Sequence, residues 1–566
     1  MLTPRVERTG AAALLDQMEN SGITRLFASP IAVMAPIWEE LVRREGETPL
    51  RYHRCRHELL AVALASGYYQ ITGEPQVVFL PTNLGVQNGS MGLRSAMQDH
   101  VPMVIISMDS LSWGEDSATD PGLEWPSLLA HAAGPARSGE AVVKWAREVR
   151  TPSAVVHEWR RAHYVARAIP RGPTLLEVPV ELLMGVASPL QRLSLDCPGV
   201  VAPEEQIIRI ADLLLRAENP IIRTGYAGRT EQGRNALLEI AEILQAPVYE
   251  FFMPNHHSFP RSHPLHGAGT IEAVLPESDL ILLAGVDAPW HPPLQHLQSD
   301  CAVVHVAEDP LRPRSSYWGY ATTHTLAGDV PSNLAALARA LHGKSQTPPD
   351  RTGRWIAYLE KKRSEQEEKM QYLMETVEQG IAAPSLFQAL HDALPEETIF
   401  VDEIVCQIDI YLSELFKRKP FRQVRGWHGA LGTGLGVALG VKLACPESMV
   451  ACIIGDGAWH YNPVPAALGF AQEYAIPLLI VVCNNGQYAS QTANLHKFYP
   501  QGMAVQQGDC IGNVIHPMPD YFKAADGYGG AGERISQNSA LATGILRAVE
   551  SVKSGQTYIL DVLVTP

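Results

Sequence analysis

The chain has 566 residues, 46% hydrophobic and 19% charged, with a formal net charge of −15. That length exceeds one core and calls for two to four domains, and the acidity argues against a nucleic-acid partner, because phosphate binding needs basic surface. No apolar run approaches the ~20 residues of a membrane helix, and the first twenty residues lack a signal peptide's apolar core, so no membrane partner and a cytoplasmic setting are expected. The eight cysteines, none in a C-x-x-C pair, fit a reducing compartment.

Taken in order, residues 11–19, 31–43 and 57–70 carry helical patterns. Residues 25–28, 77–80, 101–108 and 172–179 read as short buried strands. This alternation makes residues 1–190 one α/β domain. His57-Glu58 opens a helix whose Ala61, Ala63, Ala65 and Gly67 let its backbone approach a neighbour closely. A glutamate at a helix start is most simply favourable dipole chemistry. Residues 82–88 (TNLGVQN) follow a strand, and residues 110–126 are polar, turn-rich and irregular, either a lid or a surface connection.

Residues 191–345 form a second domain, with strands expected at 219–224, 246–252, 280–284 and 302–306. No G-x-G-x-x-G follows any of them, so a dinucleotide site has no support. His256, His257, His263 and His266 are not spaced as zinc ligands and read as loop or interface residues. His291 follows a strand end and is a candidate for reaching an active site. Residues 346–379 are a polar linker running into a charged helix whose charges make a solvated face.

Residues 380–566 form the third domain. Residues 398–403 read as a strand delivering Asp402 and Glu403 to its carboxyl edge, and residues 426–444 are Gly-rich and then helical. In residues 447–488 an apolar strand ends at Gly455-Asp456-Gly457. A helix entered through Pro463 and Pro465 follows, and a second apolar strand ends at Asn484-Asn485-Gly486. In such a βαβ unit both strands end on one edge of the sheet, so Asp456 and Asn485 arrive together. One carboxylate and one amide oxygen make a hard donor set that suits Mg2+, which fills its octahedron with phosphate oxygens and water.

This strand–GDG–helix–strand–NN pattern resembles the cofactor motif of thiamine diphosphate (ThDP) enzymes. Over nearly the whole chain the domain order is similar to that of the ThDP-dependent 2-oxo acid decarboxylase and carboligase superfamily, the third domain looking most like benzoylformate decarboxylases and acetolactate synthase-like proteins. The resemblance implies an α/β fold of three doubly wound parallel-sheet domains: pyrimidine-binding, middle and diphosphate-binding. It implies Mg2+ held by Asp456, Asn485 and the Gln487 main-chain carbonyl. It places the ThDP cofactor against Gly429, whose carbonyl meets N4′, against Leu431, which bends the cofactor into a V, and against Gly455, Asp456, Gly457, Ala458, Asn485 and Tyr488. Glu58, in an HE-x-x-A pattern, becomes the buried carboxyl bonded to the aminopyrimidine N1′, the partner that makes N4′ an internal base.

The match has departures. Residues 82–88 stand where the family has a substrate-facing Gly-rich loop, and Pro81 stands where some decarboxylases have a histidine. His428 and His460 are then the remaining proton-transfer candidates. Ala458 replaces the usual hydroxyl residue after GDG, and Ile404-Val405-Cys406 replaces hydroxyls that meet the diphosphate, which leaves the phosphates to backbone N–H groups. Ser490 and Asn494 are polar where relatives have apolar pockets.

The implied function is decarboxylation of a 2-oxo acid, then protonation to an aldehyde, or carboligation with an aldehyde or second 2-oxo acid to an acyloin or acetohydroxy acid. The implied assembly is a homodimer or homotetramer with the active site at the subunit interface. The alternatives are a ThDP-dependent C–C hydrolase or acyl transferase, and a non-catalytic paralogue, against which intact Glu58, Asp456 and Asn485 argue. Some relatives hold FAD or ADP in the middle domain; nothing in this sequence calls for either.

Overall fold

The computed structural model describes residues 8–109, 125–128, 134–187, 197, 199–251, 256–290, 297–314, 320, 322–344, 352–377, 380–417, 419, 421–426 and 429–565. Three parallel sheets follow one another along the chain. The first contains β1 (Arg25–Ala28), β2 (Arg51–Arg54), β3 (Val77–Pro81), β4 (Val104–Asp109), β5 (Trp145–Glu148) and β6 (Thr174–Pro179), in the order β2-β1-β3-β4-β6-β5. The second contains β7 (Pro220–Thr224), β8 (Val248–Glu250), β9 (Leu280–Ala284), β10 (Ala302–Ala307) and β11 (His324–Ala327), in the order β8-β7-β9-β10-β11. The third contains β12 (Ile399–Glu403), β13 (Arg422–Arg425), β14 (Val450–Gly455), β15 (Leu479–Asn484), β16 (Ala531–Ile535) and β17 (Tyr558–Leu563), in the order β13-β12-β14-β15-β17-β16.

The first and third sheets therefore share one strand order, two copies of a single α/β plan. Every pairing within the three sheets is parallel. Their inner strands are apolar on both faces: Val450, Ala451, Cys452, Ile453 and Ile454 of β14 are each 0% exposed, as expected of strands covered by helices on two sides.

Two helices join the first and third domains. In α1 (Glu58–Thr72) and α3 (Gly434–Ala444) small residues face each other. A Cβ on Gly67 would lie 2.1 Å from the Val437 carbonyl oxygen, and one on Gly440 would lie 2.2 Å from that of Leu64. No larger residue fits without pushing the helices apart, and one apolar core runs through both domains from Leu60 to Phe470. The middle domain has a core of its own around Leu237, Leu282 and Val306. The charged segment is the helix Thr352–Thr376. Among the described residues no helix is long and apolar enough to cross a membrane.

One expectation fails here. Residues 82–88 are not a loop but the first turns of the helix α2 (Thr82–Gln98), which starts directly at the end of β3. Its glycines serve packing: a Cβ on Gly85 would meet the Glu58 Cγ at 3.4 Å, and one on Gly92 would meet Val62 Cγ1 at 2.9 Å. Residues 110–124 and His291 lie outside the described residues.

Candidate active site

β14 and β15 are neighbours with Gly455 opposite Cys483, so the turns that follow them emerge side by side. Asp456 is 3% exposed. Its Oδ1 accepts a hydrogen bond from Gly457 N at 2.8 Å and its Oδ2 one from Gly486 N at 2.7 Å. Burial outweighs those donors and pushes the carboxyl up to about 6, so a cation beside it would relieve a desolvated charge.

The two asparagines divide their work. Asn484 turns inward, donating to Asp561 Oδ1 at 2.8 Å. Asn485 lines the cavity, its Oδ1 accepting from Gln487 N at 3.1 Å across Gly486, whose φ of +69° suits glycine. The Tyr488 ring lies on Gly457, where a Cβ would come within 2.7 Å of it.

A cavity of about 90 Å³ opens between these turns, walled by Asp456, Asn485, Gln487, Leu431, Cys406 and Ser490 among others. Among the described residues no group of three or more His, Cys, Asp or Glu side chains could hold a metal ion by itself. A cation at Asp456 must therefore share its coordination with amide and carbonyl oxygens and with the oxygens of a bound anion. That donor set fits Mg2+ on a diphosphate. Cys406 stands where a hydroxyl was the expected diphosphate contact, and burial raises its thiol above the usual range, so it meets the cavity uncharged.

Leu431 belongs to the Gly-rich connection between β13 and α3. Gly429 and Gly432 there have φ of +68° and +110°, and a Cβ on Gly432 would press on the Tyr461 carbonyl oxygen at 2.6 Å. The connection is held from below by Glu403, which is 0% exposed. Glu403 accepts from Gly432 N, from Gly434 N at 2.9 Å and from Asn462 Nδ2 at 2.7 Å. Asn462 in turn donates to the Ala458 carbonyl at 3.0 Å and accepts from Leu435 N at 3.2 Å. Burial lifts the Glu403 carboxyl to about 7 despite these donors. Asp402, expected beside it at the edge, faces the sheet interior, with Gln423 Nε2 at 2.7 Å and Arg425 at 3.6 Å.

Glu58 is the first residue of α1, after His57, whose Nδ1 accepts from Leu59 N at 3.2 Å. Ser29 Oγ donates to its Oε1 at 2.9 Å, and Asn88 Nδ2 of α2 donates to its Oε2. The carboxyl is half-buried rather than buried, and it is not among the walls of the Asp456 cavity of its own chain. His460 is exposed, its Nε2 3.1 Å from the Tyr521 hydroxyl, and it too is not a wall of that cavity. Gly429 is exposed, and His428 lies outside the described residues. His257 and His266 are directed at Glu250, 3.6 and 3.4 Å away.

Family models for thiamine pyrophosphate enzymes match the chain three times, in the order of the sheets. The N-terminal TPP binding domain matches residues 8–123, the central domain residues 207–337 and the C-terminal TPP binding domain residues 405–562. The chain belongs to the thiamine pyrophosphate enzymes.

It is 25% identical to the acetolactate synthase isozyme 3 large subunit of Escherichia coli K12, over 98% of this chain and 95% of that one. It is 26% identical to the benzoylformate decarboxylase of Pseudomonas aeruginosa, over 85% and 87%. Among solved structures, the thiamine diphosphate-dependent 4-hydroxybenzoylformate decarboxylase of Rhodococcus jostii RHA1 superposes with a TM-score of 0.79 at 22% identity, covering 98% of this chain and 99% of that one. Benzoylformate decarboxylase from Polynucleobacter necessarius gives 0.78 at 20% identity, covering 99% of each.

For a thiamine pyrophosphate enzyme, the sequence reading passed over the residues that support the site. Ser29 and Asn88 grip Glu58, and the Glu403–Asn462 pair fixes the connection that carries Leu431. Glu403 carried a signal, an acid at the end of a buried strand, which rarely goes unpaired. Ser29 and Asn88 carried none, because their partner is distant in sequence.

Proposed function

We propose that this thiamine pyrophosphate enzyme decarboxylates a 2-oxo acid and then either protonates the remaining fragment to an aldehyde or joins it to an aldehyde or second 2-oxo acid. The observation that carries the reading is the convergence of Asp456, Asn485, Gln487 and Leu431 on one cavity at adjacent strand ends. Full-length similarity to acetolactate synthase and benzoylformate decarboxylase supports it.

Asp456, Asn485 and the Gln487 carbonyl would hold Mg2+, with backbone around Gly455–Gly457 facing the diphosphate. The bound cofactor supplies a carbon nucleophile and an electron sink for the departing CO2. Leu431 and the Gly429 carbonyl would set the orientation of its rings, with Glu403 and Asn462 keeping Leu431 in place. Glu58 would hold and return a proton at the pyrimidine nitrogen, with Ser29 and Asn88 fixing the direction of its carboxyl. His428 and His460 are the candidates for delivering protons to product.

The same reading makes the enzyme a homodimer or larger, because Glu58 does not wall the Asp456 cavity of its own chain and would serve that of a second copy. Exposed apolar groups near these elements support this: Leu84 on α2 is 61% exposed, and the helix α4 (Ala489–Phe498) with the residues after it leaves Phe498 and Ile511 66% and 93% exposed. A surface of this kind calls for a partner. The eight free cysteines suit the cytoplasm as its location.

The test is a screen of 2-oxo acids, aliphatic and aromatic, for CO2 release with and without an added aldehyde. Release with aldehyde as the product identifies a decarboxylase, and consumption of the acceptor a carboligase. No CO2 from any 2-oxo acid, with ThDP and Mg2+ bound, contradicts the proposal.

A further inference from the structure

The inner strand β17 carries one charged residue, Asp561, and it is 0% exposed. A carboxylate in such a place is costly unless it is paired and hydrogen-bonded. Its two oxygens have different partners. Oδ1 accepts from Asn484 Nδ2 at 2.8 Å, while Oδ2 accepts from Arg534 Nε at 2.8 Å and lies 2.7 Å from Arg534 Nη2. The register brings them together. Val482 of β15 and Arg534 of β16 stand opposite Asp561 on either side, and Asn484 lies two residues beyond Val482 on the same face, at the strand end.

None of Asn484, Asp561 and Arg534 walls the Asp456 cavity. Their link to it passes through one backbone group. Gly486 N donates to Asn484 Oδ1 at 3.1 Å as well as to Asp456 Oδ2 at 2.7 Å. With the Asn484 Nδ2 committed to a carboxylate, its oxygen is the atom left for Gly486 N. A reversed amide would turn an oxygen toward the Asp561 carboxylate and a donor toward the Gly486 N–H. Gly486 separates Asn485 from Gln487, the two residues assigned to the cation beside Asp456. The carboxylate thus fixes the amide, the amide fixes Gly486, and Gly486 sets where the Asn485 and Gln487 oxygens stand.

Arg534 also ties down the chain that leaves this turn. The Gly486 carbonyl accepts from Ile515 N at 2.8 Å, and Tyr488 N donates to the Asn513 carbonyl at 2.7 Å, so residues 487–515 form an excursion closed at its base. Just beyond that base, Arg534 Nη2 donates to the Pro519 carbonyl at 2.5 Å and Nη1 lies 3.1 Å from Asp520 Oδ1. One guanidinium therefore joins the buried carboxylate to the returning chain, with the directional fork that a lysine lacks.

We infer that Arg534 and Asp561 are positioning residues for the cation site, holding Asn485 and Gln487 through Asn484 and Gly486 in the arrangement that binds Mg2+ on the diphosphate. The inference rests on the reading of Asp456, Asn485 and Gln487 as that site. Groups that orient a metal's ligands typically set its affinity by about 10–100-fold.

The experiment is calorimetric titration of ThDP across a Mg2+ series, with urea denaturation alongside, for the wild type, Arg534→Ala, Arg534→Lys and Asp561→Asn. Arg547→Ala is the control, because it frees Glu533, the neighbour of Arg534 on the other face of β16. The Mg2+ concentration giving half-maximal ThDP binding should rise about tenfold or more in Arg534→Ala and Asp561→Asn. It should rise less in Arg534→Lys and stay at the wild-type value in Arg547→Ala. Arg534 is partly exposed, so its variants decide the question even if Asp561→Asn fails to fold. A lower urea midpoint in Arg534→Ala with an unchanged Mg2+ requirement would make these bonds structural only and overturn the inference. Wild-type ThDP binding that is absent or independent of Mg2+ contradicts the site itself and the inference with it; a Mg2+-dependent wild type with unaltered variants overturns the inference alone.

Discussion

The Glu403 carboxylate and the Asn462 side-chain amide meet at 2.7 Å, and that bond ties the end of β12 to the turn that follows Asp456. The same carboxylate holds Gly432 N and Gly434 N, so the wall carrying Leu431 and the wall carrying Asp456 are fixed to one buried group. Glu403→Ala leaves buried donors unpaired, each costing roughly 1–3 kcal/mol before relaxation. Urea denaturation should show a loss of about 2–4 kcal/mol, and Asn462→Ala a smaller one. The double variant should lose less than the two losses added. Strict additivity would mean the pair is not coupled.

The pH dependence of stability follows from the same residue. Burial raises Glu403 to about 7, above the ordinary carboxyl range of the unfolded chain. The folded state therefore binds this proton more tightly, so its contribution to stability is complete below the unfolded pKa and declines as pH rises to about 7, then levels off. The decline amounts to roughly 2–4 kcal/mol. Glu403→Gln cannot titrate, so its unfolding free energy should fall less than the wild type's between pH 5 and pH 8. Equal losses in both would show that Glu403 is not titrating in this range.

Glu58 separates chemistry from binding. Glu58→Gln keeps the shape held by Ser29 and Asn88 but cannot exchange a proton. ThDP affinity should fall only by the equivalent of roughly 1–2 kcal/mol, while exchange of the cofactor's C2 proton for deuterium should slow by about 10²–10⁴-fold. Quenched-flow NMR measures that exchange. Wild-type rates in the variant would leave Glu58 as a helix-start residue only.

Leu84 tests the assembly. It is 61% exposed on α2, the helix that supplies Asn88 to Glu58. Leu84→Asp should shift sedimentation toward monomer and abolish activity without changing the circular dichroism spectrum. An active monomer, of either wild type or variant, contradicts a site completed by a second copy.

The legible and the illegible parts of this chain differ for physical reasons. Inner strands such as β14 and β15 are covered on both faces, so they are continuous apolar runs and stand out. Of the strands that escaped notice, β2, β5, β11, β13 and β16 are at sheet edges, where Arg51, Arg54, Arg147, Glu148, Arg422 and Glu533 interrupt the run, while β17 is an inner strand whose buried Asp561 breaks its apolar run. Asp456 and Asn485 were recoverable because parallel topology brings consecutive strand ends together. Gly85 misled, because glycine permits a close helix contact as readily as a loop. The Glu403–Asn462 bond joins residues 59 positions apart, a separation over which local patterning carries no information.

The most direct measurement is isothermal titration of ThDP into the protein with and without Mg2+, for the wild type and Asp456→Ala. Asp456 is the only carboxylate among the cation donors assigned to its cavity, so metal and diphosphate should bind only as a pair. The wild type should bind about one ThDP per chain when Mg2+ is present and bind far more weakly when it is chelated. Asp456→Ala should show no such binding under either condition while remaining folded. Unchanged ThDP affinity in Asp456→Ala, or in the wild type without a divalent cation, would contradict the account.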